Sequence, residues 1–371
     1  MYLKISSSQQ LIADLSRVPL GDHSHWMILL ADSHQSQLND IVAALNREGM
    51  VFFGAIVPGL IHDRRHCHDG AVVKAVTCIG KPVVALLDEQ DQAWPGALPI
   101  PTVNPCRKPT LHLLIDCFSP DISGFLSRLF NRFGNSVNYF GGGVGNRNMQ
   151  SGPVIFTPEG VYRNAALVAV LDTGGKVNVR HGWERLDGPF IASRTDKNVI
   201  QELNWEPAMD LYRRILPDEL QNVAADELFT RFSPGYPFGI QKEGREDVVR
   251  DPIRLTPAGE MVCLSDVPEN SVMYLEHANP ERLIEAVGRA IDEVTADRKS
   301  PASCLVYDCY SRSLLLGEAF LRELEVVADR FKSVAPQLAV EGAIVLGEIA
   351  SDGEQSLEFY NKTFVVSVTY E

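Results

Sequence analysis

The stretch CLVYDCYSRSLLLGEAFLRELEVVADRF (residues 304–331), continued by EGAIVLGEIASDGEQSLEFYNKTFVVSVTY (residues 341–370), decides the fold. The apolar run Leu305-Val306-Tyr307 ends on Asp308, the pattern of a buried strand reaching a rim. Cys309, Tyr310, Ser311 and Arg312 cross that rim. Leu315, Phe320, Leu321, Leu324, Val327 and Phe331 then recur at helical spacing, which predicts one helix with one buried face. Residues 341–349 read as a second strand ending in Gly347-Glu348. Asp352-Gly353 is a turn signal, and residues 357–360 and 364–368 read as a closing pair of strands. The unit is strand, helix, strand, hairpin.

Working outward, the same unit occurs twice more. Residues 26–32 (WMILLAD) end on Asp32. A helix with Ile41, Leu45 and Met50 follows, and VFFGAIVPG (51–59) leads into GAVVKAV (70–76) and PVVALLD (82–88). Residues 111–116 (LHLLID) end on Asp116. Residues 118–134 supply the helix, VNYFGGGVG (137–145) the second strand, and residues 153–172 a hairpin through Pro158-Glu159-Gly160. In each copy the first strand ends at an Asp, and a Gly-containing strand follows the helix. Three copies of one order predict an internally repeated α/β protein with mixed sheets. The copies are too long for a solenoid.

The 371 residues suffice for two cores, and two α/β domains are expected, residues 1–188 and 189–371, divided near Gly188-Pro189. A net charge of −14 argues against a general nucleic-acid binder, which needs a basic face. No apolar run approaches a membrane span, and residues 1–15 lack a secretory signal pattern. The seven cysteines include no C-x-x-C pair and read as reduced thiols, so a cytoplasmic protein is expected. Residues 93–109 form a Pro-rich connector. Residues 190–203 read as a ribbon turning at residues 195–198, and Trp205-Glu206-Pro207 opens a helix carrying Met209, Leu211, Tyr212 and Ile215. Residues 281–297 read as an amphipathic helix.

Four constellations carry chemistry. Residues 61–69 (IHDRRHCHD) hold His62, His66, His68 and Cys67 between carboxylates. Such donors suit a transition metal or a haem iron, with Arg64 and Arg65 as partners for propionates. On one strand the three imidazoles would share a face. The alternatives are a partner-contacting loop or a solvated hairpin tip. His181-Gly182-Trp183 offers a second ligating imidazole beside a flexible Gly and a flat apolar wall; the alternative is a packed junction. A metal would draw on His181 and His66. Around Cys309, Arg312 is a fork for a carboxylate or phosphate, with Glu348 and Asn361 completing a pocket. The competing reading is an internal lock of Arg312 with Glu318 or Glu348. Cys309 lacks a local base and makes a poor nucleophile. Gly142 and Gly143, in the Gly-rich run 141–145, lack the flanks of a P-loop or a dinucleotide fingerprint. They fit a close backbone approach to a ligand or a neighbouring strand.

Several motifs in order resemble the FIST sensory family over nearly the whole chain: GGGVGNRNM (141–149), VYRNAA (161–166), residues 177–212, CLVYDCYSRSLLLGE (304–318), EGAIVLGEIAS (341–351) and LEFYNKTFVVSVTY (357–370). The resemblance covers the family's N-terminal and C-terminal parts. It implies an intracellular small-ligand sensor and not an enzyme. The stand-alone haem-binding, nitric-oxide-sensing subgroup is the expected match. Output would pass to a separate histidine kinase, and a homodimer stays open. An amino-acid or organic-anion sensor is the alternative within the family, and a cleft-cysteine enzyme lies outside it.

Overall fold

Three parallel strand pairs organise the chain. In this computed structural model, which describes residues 1–88, 98–99, 108–297, 300–351 and 357–370, Ser24–Ala31 runs parallel to Phe52–Val57. Thr110–Asp116 likewise runs parallel to Asn138–Val144, and Ser303–Cys309 to Glu341–Val345. Each pair is bridged by the helix that its apolar stripe predicts: Leu38–Arg47, Ile122–Phe133 and Phe320–Val334. A closing strand pairs antiparallel to each first strand: Ala71–Thr77, Ala165–Leu171 and Phe364–Thr369. The result is α/β with mixed sheets, built from three copies of one unit. The Pro-rich connector (93–109) and Cys106 fall largely or wholly outside the described residues, and the Asp352-Gly353 turn does so entirely.

The hairpins do not stay with the units that make them. Gly59–His62 and Arg65–Cys67, from the first unit, extend the third unit's sheet beside Glu341–Val345. Ile155–Thr157 and Gly160–Tyr162, from the second, extend the first unit's sheet beside Phe52–Val57. Glu348–Ser351 and Glu358–Tyr360, from the third, extend the second unit's sheet beside Asn138–Val144. The exchange is cyclic. Strands from both sides of residue 188 therefore share two of the three sheets.

The repeat extends to single residues. Gly54, Gly141 and Gly342 pair with Ile28, Leu113 and Val306 across the parallel ladders, and at each a Cβ would overlap the partner's carbonyl oxygen. Counted from these glycine partners, Met27, His112 and Leu305 are equivalent, as are Phe53, Phe140 and Glu341. The rim aspartates are not. Asp32, Asp116 and Asp308 follow their glycine partners by four, three and two residues, so the shared Asp is a resemblance of pattern rather than of position.

Two boundaries differ from the sequence reading. Val83–Leu86, assigned there to the first unit, is an edge strand of the second unit's sheet, against Ala165–Leu171. The single helix expected after Arg312 is two, Tyr310–Leu316 and Phe320–Val334, because Gly317 takes φ +53° and stops the first. Leu321 consequently faces solvent. Between the third unit's edge strand Gly175–Arg180 and its first strand lies an insertion. It contains a four-stranded sheet (Glu184–Ile191, Val272–His277, Phe238–Ile240, Val248–Arg250), a ribbon around Val199–Leu203, and the helix Pro280–Val294. The helix Ala208–Ile215 stands where Pro207 opens it.

Candidate functional site

Arg312 is fully buried, and all five of its N–H donors are used inside the protein. Nε and Nη2 fork onto Glu323 at 3.1 and 2.7 Å. Nη2 also donates to the Leu283 carbonyl at 2.7 Å, and Nη1 to those of His181 at 2.7 Å and Lys362 at 3.4 Å. Burial opposes the guanidinium charge, but the Glu323 carboxylate more than offsets it, so the pKa is raised. Arg312 thus joins the edge strand, the insertion's helix, the closing hairpin and the helix Phe320–Val334. No N–H remains for an external anion. Its partner is Glu323 rather than Glu318, which is exposed, or Glu348.

Around this lock lies a cluster of buried acids. Glu348 accepts from Thr363 N and Oγ1 at 3.0 and 2.7 Å, leaves its other oxygen unpartnered, and is pushed up to about 8 by burial. Asp308 has neither oxygen hydrogen-bonded, and burial with Glu323 nearby raises its pKa well above the ordinary range. Asn361 donates to the Tyr360 carbonyl and is fully buried. Cys309 accepts from Lys362 N at 3.2 Å, and burial pushes its thiol up to about 12, the opposite of an activated nucleophile. Gly142 and Gly143 face Val345 and Leu346 of the third unit, so their close approach is to neighbouring protein.

The histidine hairpin does not share one face. Asp63 takes φ +52° in the turn and the chain reverses, so His62 pairs with Arg65 while His66 pairs with Ile61 on the other side. His66 packs against His68 and Phe320 with centroids at 4.2 and 5.5 Å. Its Nε2 sits over Gly59 in space that a Cβ would fill. Burial lowers its pKa to about 4. Arg64 ion-pairs with Asp329, and Arg65 is exposed. His181 Nδ1 accepts the Trp183 N–H at 2.8 Å, which puts the ring proton on Nε2, 3.7 Å from Glu246. Gly182, at φ +75°, lies against the Arg282 carbonyl, and Trp183 Nε1 donates to Lys362 O. No contact joins His181 to His66. Among the described residues no group of three or more His, Cys, Asp or Glu side chains is placed to hold a metal.

A haem needs an imidazole nitrogen free to reach iron beside an open slot. The Nε2 atoms of His66 and His181 are also unpartnered, but each faces protein rather than an open slot, one packed over Gly59 and the other 3.7 Å from Glu246. His62 fits better: it stacks on Tyr2 at 5.3 Å, its Nδ1 is unpartnered, and it lines a cavity of about 650 Å³ with Lys74, Glu341 and Leu338.

A second cavity of about 440 Å³ lies where the starts of the three first strands converge. The equivalent residues Met27, His112 and Leu305 all line it, as do Trp26, Phe140 and Leu171. His112 stands where the other units place Met and Leu. Its ring contacts one residue from each unit: Phe53 at 6.3 Å, Phe140 at 5.8 Å and Tyr307 at 5.9 Å between centroids. Its Nε2 is 2.7 Å from Tyr307 Oη, and its Nδ1 has no partner. Burial lowers its pKa to about 3, so the ring is neutral. Lys74, Ser303 and Glu341 line both cavities and form the wall between them; Lys74 Nζ lies 3.2 Å from Glu341 and 2.7 Å from Ser303 Oγ. Sequence reading passed over His112, although one His inside the apolar run LHLLID was a signal that something must satisfy it.

Among the described residues no helix is long and apolar enough to cross a membrane. No curated protein matches the chain. Residues 26–206 match the FIST N domain and residues 208–351 the FIST C domain. The two matches adjoin and run through all three units and the insertion, and on that ground the chain belongs to the FIST sensory domain family.

Proposed function

We propose that the protein is a small-ligand sensor whose ligand occupies the 440 Å³ cavity and whose output passes to a separate signalling protein, with a histidine kinase as the expected kind. The observation that carries this reading is that the cavity draws its lining from all three units, with a neutral, buried imidazole at its floor. A ligand there touches every unit at once. It can favour one arrangement of the units over another through differential contacts, which is what a ligand-driven switch requires.

The test is a thermal-shift screen of small metabolites on the wild type and on Val76→Trp. Val76 lines the cavity, is half-buried and shares the strand face of Lys74, so a large side chain there fills the space. Stabilising compounds are expected for the wild type and not for Val76→Trp. Compounds that stabilise both equally would place the ligand elsewhere.

Haem-based sensing of nitric oxide is the second reading, favoured by His62 on the larger cavity. His62 would hold the haem and Lys74 would face a propionate. The haem would supply the iron that takes a diatomic gas. Absorption spectra of the protein with haem, reduced and then exposed to nitric oxide, test it. A sharp Soret band that shifts with the gas and is lost in His62→Ala supports it, and a band no different from free haem removes it.

A further inference from the structure

The wall and floor of the 440 Å³ cavity restrict what it can hold. The neighbouring strands place Lys74 opposite Met27 and Ser367 opposite Leu305, so both point to the same axis as His112. Of the four charged groups that line it, the Met1 ammonium and Lys74 both pair with Glu341, Asp172 is not free either, and Ser303 accepts from Lys74. His112 Nδ1 is left. The buried Tyr307 hydroxyl has one hydrogen-bond partner, His112 Nε2; donation from Nε2–H would strand two buried groups, the Tyr307 O–H and the Nδ1 lone pair, whereas donation from Tyr307 strands only Nδ1–H. Tyr307 therefore donates to Nε2. In a neutral ring that fixes the proton on Nδ1. Nδ1–H is a donor without an acceptor, on a side chain that is fully buried and lines the cavity.

From this geometry we infer that the cavity takes a small uncharged apolar molecule bearing one hydrogen-bond acceptor, of the ketone, aldehyde or ester class. The acceptor meets His112 Nδ1–H, and the apolar body packs against Trp26, Met27, Phe140, Leu171 and Leu305. A carboxylate would have to enter beside Glu341, and an ammonium beside Lys74. Either would compete with the ion pairs that Glu341 makes to Lys74 and the Met1 ammonium and leave a charge in the wall without its partner. A hydrocarbon would fill the space but leave Nδ1–H unsatisfied. The inference rests on the cavity being the ligand site.

The experiment uses four probes of one shape: acetophenone, ethylbenzene, benzoate and benzylamine. Binding is read from tryptophan emission in the full-length chain, with Trp26→Phe identifying the signal from the cavity. Acetophenone is expected to bind at least about tenfold more tightly than ethylbenzene, a ratio set by one buried hydrogen bond. Benzoate and benzylamine are expected to be weaker than both. His112→Phe should bring the ketone and the hydrocarbon to within about twofold of each other. Where that variant does not fold, Tyr307→Phe releases the tautomer and should likewise erode the preference. Tightest binding by benzoate or benzylamine overturns the ligand class and leaves the cavity as the site, as does a preference unchanged in the variants. No change in Trp26-dependent emission with any probe overturns the inference, while the Val76→Trp screen separately decides the reading beneath it.

Discussion

Glu348 has one carboxylate oxygen held by Thr363 and the other unpartnered, in a fully buried setting that raises its pKa from 4.5 to about 8. The native state therefore binds this proton more tightly than the unfolded chain. Stability from the group is fully present below about pH 4.5 and is lost as pH rises through about 8. Glu348→Gln keeps an acceptor for Thr363 and should flatten that decline; urea unfolding at several pH values between those limits reads it, and an unchanged slope would assign the decline to other groups. Arg312 invites a harsher test. Arg312→Met leaves Glu323 buried without its partner and should cost about 3–5 kcal/mol of unfolding free energy. Arg312→Lys should recover little, since an ammonium cannot reproduce the fork and three carbonyl bonds. Near-native stability in Arg312→Met would refute the lock. The sequence marked Arg312, Glu348 and Cys309 as a group, but it could not name Glu323, eleven residues on across the break at Gly317. Nor could it separate His112 from a packed core histidine, because Nδ1 is orphaned by strands from three units.

The elements were largely legible because each has its own periodicity. The three parallel pairs, their helices and the helix Pro280–Val294 stand where apolar spacing puts them. The misplacements share one cause. Alternation shows that a strand pairs but not which sheet edge receives it, so Val83–Leu86 and the three hairpins could not be assigned. The glycines offer a matched pair of tests at this scale. Gly342→Ala pushes a Cβ onto the Val306 carbonyl in a packed ladder and should cost about 1–3 kcal/mol. Gly288 lies inside the helix Pro280–Val294 with its nearest neighbour at an ordinary 3.5 Å, so Gly288→Ala should gain about 0.5–1 kcal/mol. A thermal or urea midpoint that does not fall in Gly342→Ala would contradict the strand-approach argument, and one that does not rise in Gly288→Ala the helix argument.

At the scale of the whole molecule, the cyclic exchange makes each sheet depend on a neighbouring unit. One unfolding transition is expected, coincident by tryptophan emission, far-UV circular dichroism and hydrogen exchange in all three sheets. A fragment of residues 1–188 retains the first unit's sheet. It loses Glu348–Ser351 and Glu358–Tyr360 from the second sheet, and its own hairpin Gly59–His62 loses the edge it covers. It is expected to be unfolded or associated when expressed alone. A monomeric fragment with cooperative unfolding would show that the second sheet closes without the third unit. The threefold pattern of units could be read from the sequence; their interlocking could not, since it depends on which edges meet in space.

The exchange also imposes an order on biosynthesis. A ribosome releases Gly59–Cys67 well before the strand that it flanks, Glu341–Val345, which follows more than 270 residues later. For most of translation the nascent chain therefore displays an apolar hairpin, Leu60 and Ile61 included, with an open edge. The second unit waits in the same way for Glu348–Ser351. The first unit's sheet can close once Tyr162 has emerged, but the two others wait for residues 341–369, which makes the nascent chain a natural client for holding chaperones until that segment arrives.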